Sequence, residues 1–201
     1  MREPLTRELL VERARVVVER DGVDAVTLRG LARDLGVTAP ALYAYVDDKH
    51  DLLAALATEH FERLVERFEE IDETDPIERI RAQSHAYVAH AVESPGLFHL
   101  MFLFPPRPIP GVNAFPPAEK AWESAATAIS EAAASGALSV DDATVASLAM
   151  WAAVHGVAEV LLTGLWADDE RAGRQLVETV VDTMLTGMGL TRMGLDGAGR
   201  Q

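Results

Sequence analysis

The chain has 201 residues, 49% of them apolar, a formal net charge of -14 and no cysteine. So high an apolar share excludes a disordered chain, and a length of 201 residues suits a small module joined to a larger one. The missing cysteines exclude disulfides, thiolate metal sites and cysteine nucleophiles, and fit a reducing compartment.

The opening stretch, MREPLTRELL, has no apolar run behind it and does not read as a secretory signal, so the expected location is the cytoplasm. The acidity is unevenly spread: residues 1–50 hold eight Lys/Arg against nine Asp/Glu, and residues 51–201 hold ten against twenty-three. An acidic body repels phosphate over a Debye length of roughly 8 Å, which leaves only the near-neutral first part suited to approach a nucleic acid.

Helical periodicity dominates and predicts an all-α fold of about nine helices. The expected division is a small helical module over 1–50, a larger helical domain over 51–188 and a flexible tail over 189–201. The first helix runs from about Leu5 to Arg20, with Leu10, Ala14, Val17 and Val18 on its inner face. A second opens at Thr27 and turns Leu28, Leu31 and Leu35 inward until Gly36 ends it. Thr38 opens a short third, and Asp47-Asp48 cap a fourth that continues to about Ile71, with His60 expected to face solvent. A fifth follows Asp75-Pro76 to about Val92, and Ser94-Pro95-Gly96 separates it from the short apolar segment LFHLMFLF.

Six of the ten prolines fall between Pro105 and Pro117, which marks a loop, either a lid over a ligand or a surface connector. An alanine-rich helix then runs from about Pro117 to Ser135, a long apolar one from about Asp141 to Trp166, and a last one from about Asp169 to Thr186. Val145 to Ala167 is long enough for a bilayer, but His155 and Glu159 interrupt it and no Lys or Arg flanks it. It reads as a helix buried on most sides, so no membrane partner is expected.

The informative segment is TLRGLARDLGVTAPALYAYVDDK, from Thr27 to Lys49. Two short helices meet at a glycine-containing tight turn, the arrangement that places a second helix in a major groove. Leu31, Leu35, Val37, Leu42 and Val46 make a small core. The helix starts at Thr27 and Thr38 offer backbone N–H groups to phosphates, the Tyr43 and Tyr45 hydroxyls can donate to them, and Lys49 adds a cation. Arg29, Thr38, Ala39, Pro40 and Ala41 could meet base edges, the apolar ones through thymine methyl groups. The plainer alternative is that the tyrosines cap the small core.

From Leu10 to about Leu53 the sequence resembles the DNA-binding module of the TetR/AcrR regulators, on Ala14, Gly22, Thr27, Ala32, Gly36, Leu42, Tyr43, Val46, Lys49 and Leu52. Val46 stands where phenylalanine is more usual, and Tyr45 where histidine is. Trp151 with His155-Gly156 resembles the tryptophan and histidine-glycine signature of one C-terminal subgroup. The resemblance implies a homodimer formed through the last two helices and an effector pocket behind the DNA module.

The last two helices show more apolar surface than a small domain covers, and a two-fold dimer would bury it, with Ala149, Ala152, Gly156, Leu176, Val180 and Met184 in the interface. Two such modules would read an inverted-repeat operator with half-sites about 34 Å apart. Pocket candidates are Phe98, His99, Phe102, Trp122, Trp151 and His155, with plain core packing as the alternative for each. His85 and His90 are five apart and do not converge on one helix face, so no metal and no cofactor are expected.

The expected function is a transcriptional regulator, a repressor released from DNA by a small-molecule effector through a shift of the fourth helix. Two other readings are a helical protein-interaction module with vestigial DNA binding, and an all-helical enzyme with His155 or His99 as base. No nucleophile elbow or phosphate loop supports the enzyme.

Overall fold

The computed structural model describes residues 4–104, 115–165 and 169–190. Among these, every regular element is helical: α1 (Arg7–Asp21), α2 (Leu28–Leu35), α3 (Ala39–Leu42), α4 (Lys49–Glu69), α5 (Pro76–Glu93), α6 (Pro95–Met101), α7 (Pro116–Ala134), α8 (Ala143–Leu162) and α9 (Glu170–Gly187). A 3-10 turn at Val23–Ala25, too short to leave a periodic signal, joins α1 to α2. The all-α expectation and its nine helices hold among the described residues. The proline-rich stretch 105–114 and the tail 191–201, where a lid and a flexible end are expected, lie outside them.

The chain forms two compact units. One comprises Met1–Val65 and Glu93–Ala121, the other Glu66–Val92 and Trp122–Gln201. The first therefore takes in α1 to α3 together with the first part of α4, with α6 and with the start of α7. In it α1 packs on α6 and α2 on α3. Leu10, Val11, Ala14 and Val18 are the buried positions of α1, while Val17 is half-exposed. Phe98, Leu56 and Leu42 are fully buried, each contributing about 1.5–3 kcal/mol relative to an exposed side chain.

His60 corrects the sequence reading. It lies four residues from both Leu56 and Leu64, on the buried stripe of α4, and is only 1% exposed. A polar side chain at a core position of the 3.6-residue period follows the stripe, and its distance in sequence from the other histidines says nothing about exposure.

In the second unit α8 packs on α9, with Met150, Val154, Val157 and Ala158 of α8 and Val177, Val181 and Leu185 of α9 all buried. Asp142 caps α8, its carboxylate accepting from Thr144 N at 2.8 Å, and Asp169 caps α9, accepting from Ala172 N at 2.9 Å. Arg79 pairs with Glu131 of α7, Arg81 pairs with Asp182 of α9, and Gln83 Nε2 donates to Ser124 O at 3.2 Å, so α5 is tied to both neighbours.

α8 is long and apolar enough to cross a membrane by length and composition. It is not buried on most sides within this one chain. Val145, Ala149, Ala152, Gly156 and Val160 form an open stripe, with Val145 61% exposed, and Leu176, Val180 and Met184 of α9 are half-exposed. The helix also ends at Leu162 rather than near Trp166, with Thr163 N donating to Glu159 O and Val160 O.

Candidate nucleic-acid interface

The turn between α2 and α3 is fixed by its own hydrogen bonds. Thr27 caps α2, its hydroxyl accepting from Gly30 N at 3.0 Å. Gly36 ends α2 at φ 65° and ψ 36°, a left-handed conformation that a side chain disfavours. Val37 N then reaches back to Ala32 O at 2.9 Å, closing the helix end. Beneath the turn lie Val26, Leu31, Ala32, Leu42 and Val46, all buried, whereas Leu35 and Val37, expected in this small core, are half-exposed. The 3-10 turn supplies Val26, which explains the exchange.

Above this core Thr27, Arg29, Thr38, Pro40 and Tyr43 are exposed, Tyr43 by 59%, while Ala39, Ala41, Tyr45 and Lys49 are half-buried. Thr38 starts α3, yet its hydroxyl does not cap the helix. Lys49 Nζ donates to Val23 O at 3.0 Å, so this cation ties the start of α4 to the 3-10 turn.

Asp48 caps α4, its carboxylate accepting from Asp51 N at 2.8 Å, while Asp51 Oδ2 reaches back to accept from Asp47 N at 3.0 Å. Sequence reasoning foresaw the first of these and missed Asp51, although the Asp48/Asp51 spacing of a capping box was visible. It also missed Arg7, whose guanidinium donates to both Asp51 oxygens, at 3.0 and 2.7 Å, and to Tyr45 O at 2.6 Å. No local pattern announces a partner 44 residues away.

The hydrogen bond from Arg7, followed by that from the Asp47 backbone, holds the Asp51 carboxyl down from 3.8 to about 2. A carboxyl whose folded pKa is depressed adds stability that is complete above its unfolded pKa and is lost as pH falls through the folded one. Asp51→Asn should therefore flatten the pH dependence of stability between about pH 4 and pH 2, as read by urea unfolding across that window. An unchanged slope there would show that Asp51 carries no such share.

The six pocket candidates fall into separate groups. In the first unit Phe98 packs edge-on against Phe102 at 5.4 Å and tilts against His99 at 6.1 Å. Phe98 is fully buried, whereas Phe102 is 40% exposed. In the second unit Trp151 stacks on His155 at 5.7 Å, and Tyr87, unremarked in the sequence, places its hydroxyl 3.4 Å from His155 Nδ1. Burial pushes the Tyr87 phenol up, so it stays protonated. Glu159 lies 3.7 Å from His155 Nε2 on the far side of the ring. Trp122 lines a groove of about 460 Å³ along α7 that includes Ala126, Ser130 and Ala134. Among the described residues no group of three or more His, Cys, Asp or Glu could hold a metal ion.

Residues 10–56 match the family of bacterial regulatory proteins, tetR family, and residues 80–184 match the tetracyclin repressor-like C-terminal domain. An uncharacterised HTH-type transcriptional regulator of Mycobacterium tuberculosis is 28% identical over 165 residues, 82% of this chain and 73% of that protein. A protein of unknown function from Rhodococcus sp. RHA1 has a solved structure that is 30% identical, covers 92% of this chain and 96% of its own, and superposes with a TM-score of 0.77. The transcriptional regulator FadR of Bacillus subtilis, solved with stearoyl-CoA, shares the fold at 16% identity and a TM-score of 0.67, over 90% of this chain and 98% of its own.

Proposed function

This chain belongs to the tetR family of bacterial regulatory proteins, and on that premise we propose that it represses transcription as a homodimer on an inverted-repeat operator, releasing the DNA when a small organic effector binds. It is a DNA-binding transcriptional regulator. One observation carries the DNA-reading surface: the outer side of α3, with Thr38, Pro40 and Tyr43, stands exposed on a buried footing of Leu31, Leu42 and Val46. A helix presented in this way on a rigid turn fits a major groove.

On this reading Thr27 and Thr38 bring backbone N–H groups to phosphates, Tyr43 and Tyr45 add hydroxyl donors, and Lys49 adds a cation. Arg29, Thr38, Ala39, Pro40 and Ala41 face the bases. The acidic remainder of the chain keeps the rest of the protein off the duplex. The open apolar stripes of α8 and α9 support the dimer, because a two-fold copy would cover Ala149, Ala152 and Gly156 together with Leu176, Val180 and Met184.

Effector contacts are proposed within each group taken by itself, Phe98, His99 and Phe102 in the first unit, and Trp122, Trp151 and His155 in the second. The likeness to FadR with stearoyl-CoA is a likeness of fold, so it fixes no ligand chemistry here. The signal is proposed to pass along α4, continuous from Lys49 to Glu69. Such a switch requires the effector to prefer one arrangement, with a coupling of about 1–3 kcal/mol.

Fluorescence titration against the DNA upstream of the protein's own gene tests the proposal. Saturable binding with a steep salt dependence is expected, and its absence would favour an interaction module instead. Tyr43→Phe should weaken operator binding by about 1.5–3 kcal/mol, the size of a hydrogen bond to a charged acceptor. Because Tyr43 is 59% exposed, thermal unfolding of that variant should match the wild type. Equal affinity would show that the Tyr43 hydroxyl meets no phosphate.

A further inference from the structure

α3 is only four residues long and buries one of them, Leu42, so its own packing cannot fix its direction. Its entry is set by the Gly36 turn. Its exit meets a second constraint, one that joins three parts of the first unit at a single guanidinium. Arg7 at the start of α1 donates at 2.6 Å to Tyr45 O, just past α3, and through both arms of its fork to Asp51 in the first turn of α4. Asp51 in turn accepts from Asp47 N at 3.0 Å, on the segment between α3 and α4.

We infer that Arg7 is a positioning residue for DNA reading: it sets the angle of α3 through Tyr45 O and Asp51 and makes no contact with DNA itself. The inference rests on the DNA-binding reading above. The competing role is plain from chemistry, since a 40%-exposed arginine side chain near such a surface would ordinarily be a phosphate contact. The two roles differ in what the fork is for. A planar guanidinium can hold a carboxylate and a carbonyl together in fixed directions, which a lysine ammonium cannot, whereas a phosphate accepts either as a charge.

Two substitutions separate them, each measured by titration of operator and of scrambled duplex at several salt concentrations, with thermal unfolding to confirm that the variant is folded at the assay temperature. Arg7→Lys keeps the charge and loses the fork. Positioning predicts an operator affinity lower by roughly tenfold or more, a smaller operator-to-scrambled ratio and an unchanged salt slope. Near-wild-type operator binding by Arg7→Lys would overturn the inference.

Asp51→Asn keeps the shape, removes an anion and frees Arg7. A phosphate-contacting Arg7 would then bind both duplexes more tightly and steepen the salt slope. Positioning predicts the opposite sign for the operator, weaker binding and lost discrimination. Tighter binding of both duplexes would overturn the inference, and either variant decides the matter alone if the other fails to fold. Should the wild-type protein bind no duplex saturably, the DNA-binding reading itself fails, an outcome distinct from either result with the variants.

Discussion

Ala152→Glu is expected to give a folded protein that stays monomeric and loses sequence-specific DNA binding. Ala152 is exposed on α8, flanked along the same stripe by Ala149 and Gly156, so a longer side chain meets nothing within its own chain. Glutamate is nearly as good a helix former as alanine, and the fold of the protomer should be unaffected. In the proposed dimer the same position faces its symmetry mate. Two carboxylates brought together and stripped of water would cost several kcal/mol, more than enough to part an interface built on small apolar residues. A lone α3 reads one half-site with few phosphate contacts, so operator affinity should fall by about a thousandfold or more, towards the level of non-specific binding. Sedimentation and operator titration on the same sample check both halves of the expectation. A variant that remains dimeric would place the interface away from this stripe and leave α8 without a partner.

The helices were legible because their signals are local. Thr27, Asp142 and Asp169 each cap a helix with a side chain, and apolar spacing marks the buried faces of α1, α4 and α9. The surface of α3 was legible for the same reason, since a glycine turn and a short apolar face determine which residues are left outside. What escaped was set by contacts between distant residues. Arg7 shows no sign in its own neighbourhood of holding Asp51 and Tyr45 O. Tyr87 likewise gives no local sign that His155, 68 residues on, stands beside its hydroxyl. His60 is polar yet buried because it falls on the apolar stripe between Leu56 and Leu64. The aromatic residues grouped together as pocket candidates are divided between the two compact units, a division that no periodicity could reveal.

Gly96 shows the same limit in its sharpest form, and Gly96→Ala is expected to destabilise the protein by about 2–3 kcal/mol. In the sequence it reads as a helix separator after Ser94-Pro95. In the structure it lies inside α6, at the point where that helix crosses the last turn of α1. A methyl group there would run into the backbone carbonyl oxygen of Val18, and would lie 2.9 Å from its carbonyl carbon and 3.0 Å from Glu19 Cα. Backbone cannot swing aside as a side-chain tip can, so α6 has to retreat from α1, and the retreat also stretches the 3.2 Å bond from Gly96 N to the Glu19 carboxylate. Alanine's better helix propensity, at most about 1 kcal/mol, works the other way and is outweighed. Gly173→Ala is the control, because a methyl there meets only the Leu161 side chain, at an ordinary 3.7 Å, and propensity alone decides. That variant should gain roughly 0.5–1 kcal/mol. At about 2–4 °C per kcal/mol for a chain of this size, the two should melt on opposite sides of the wild type. If Gly96→Ala melted at or above the wild-type temperature, the close crossing of α6 over α1 would be wrong.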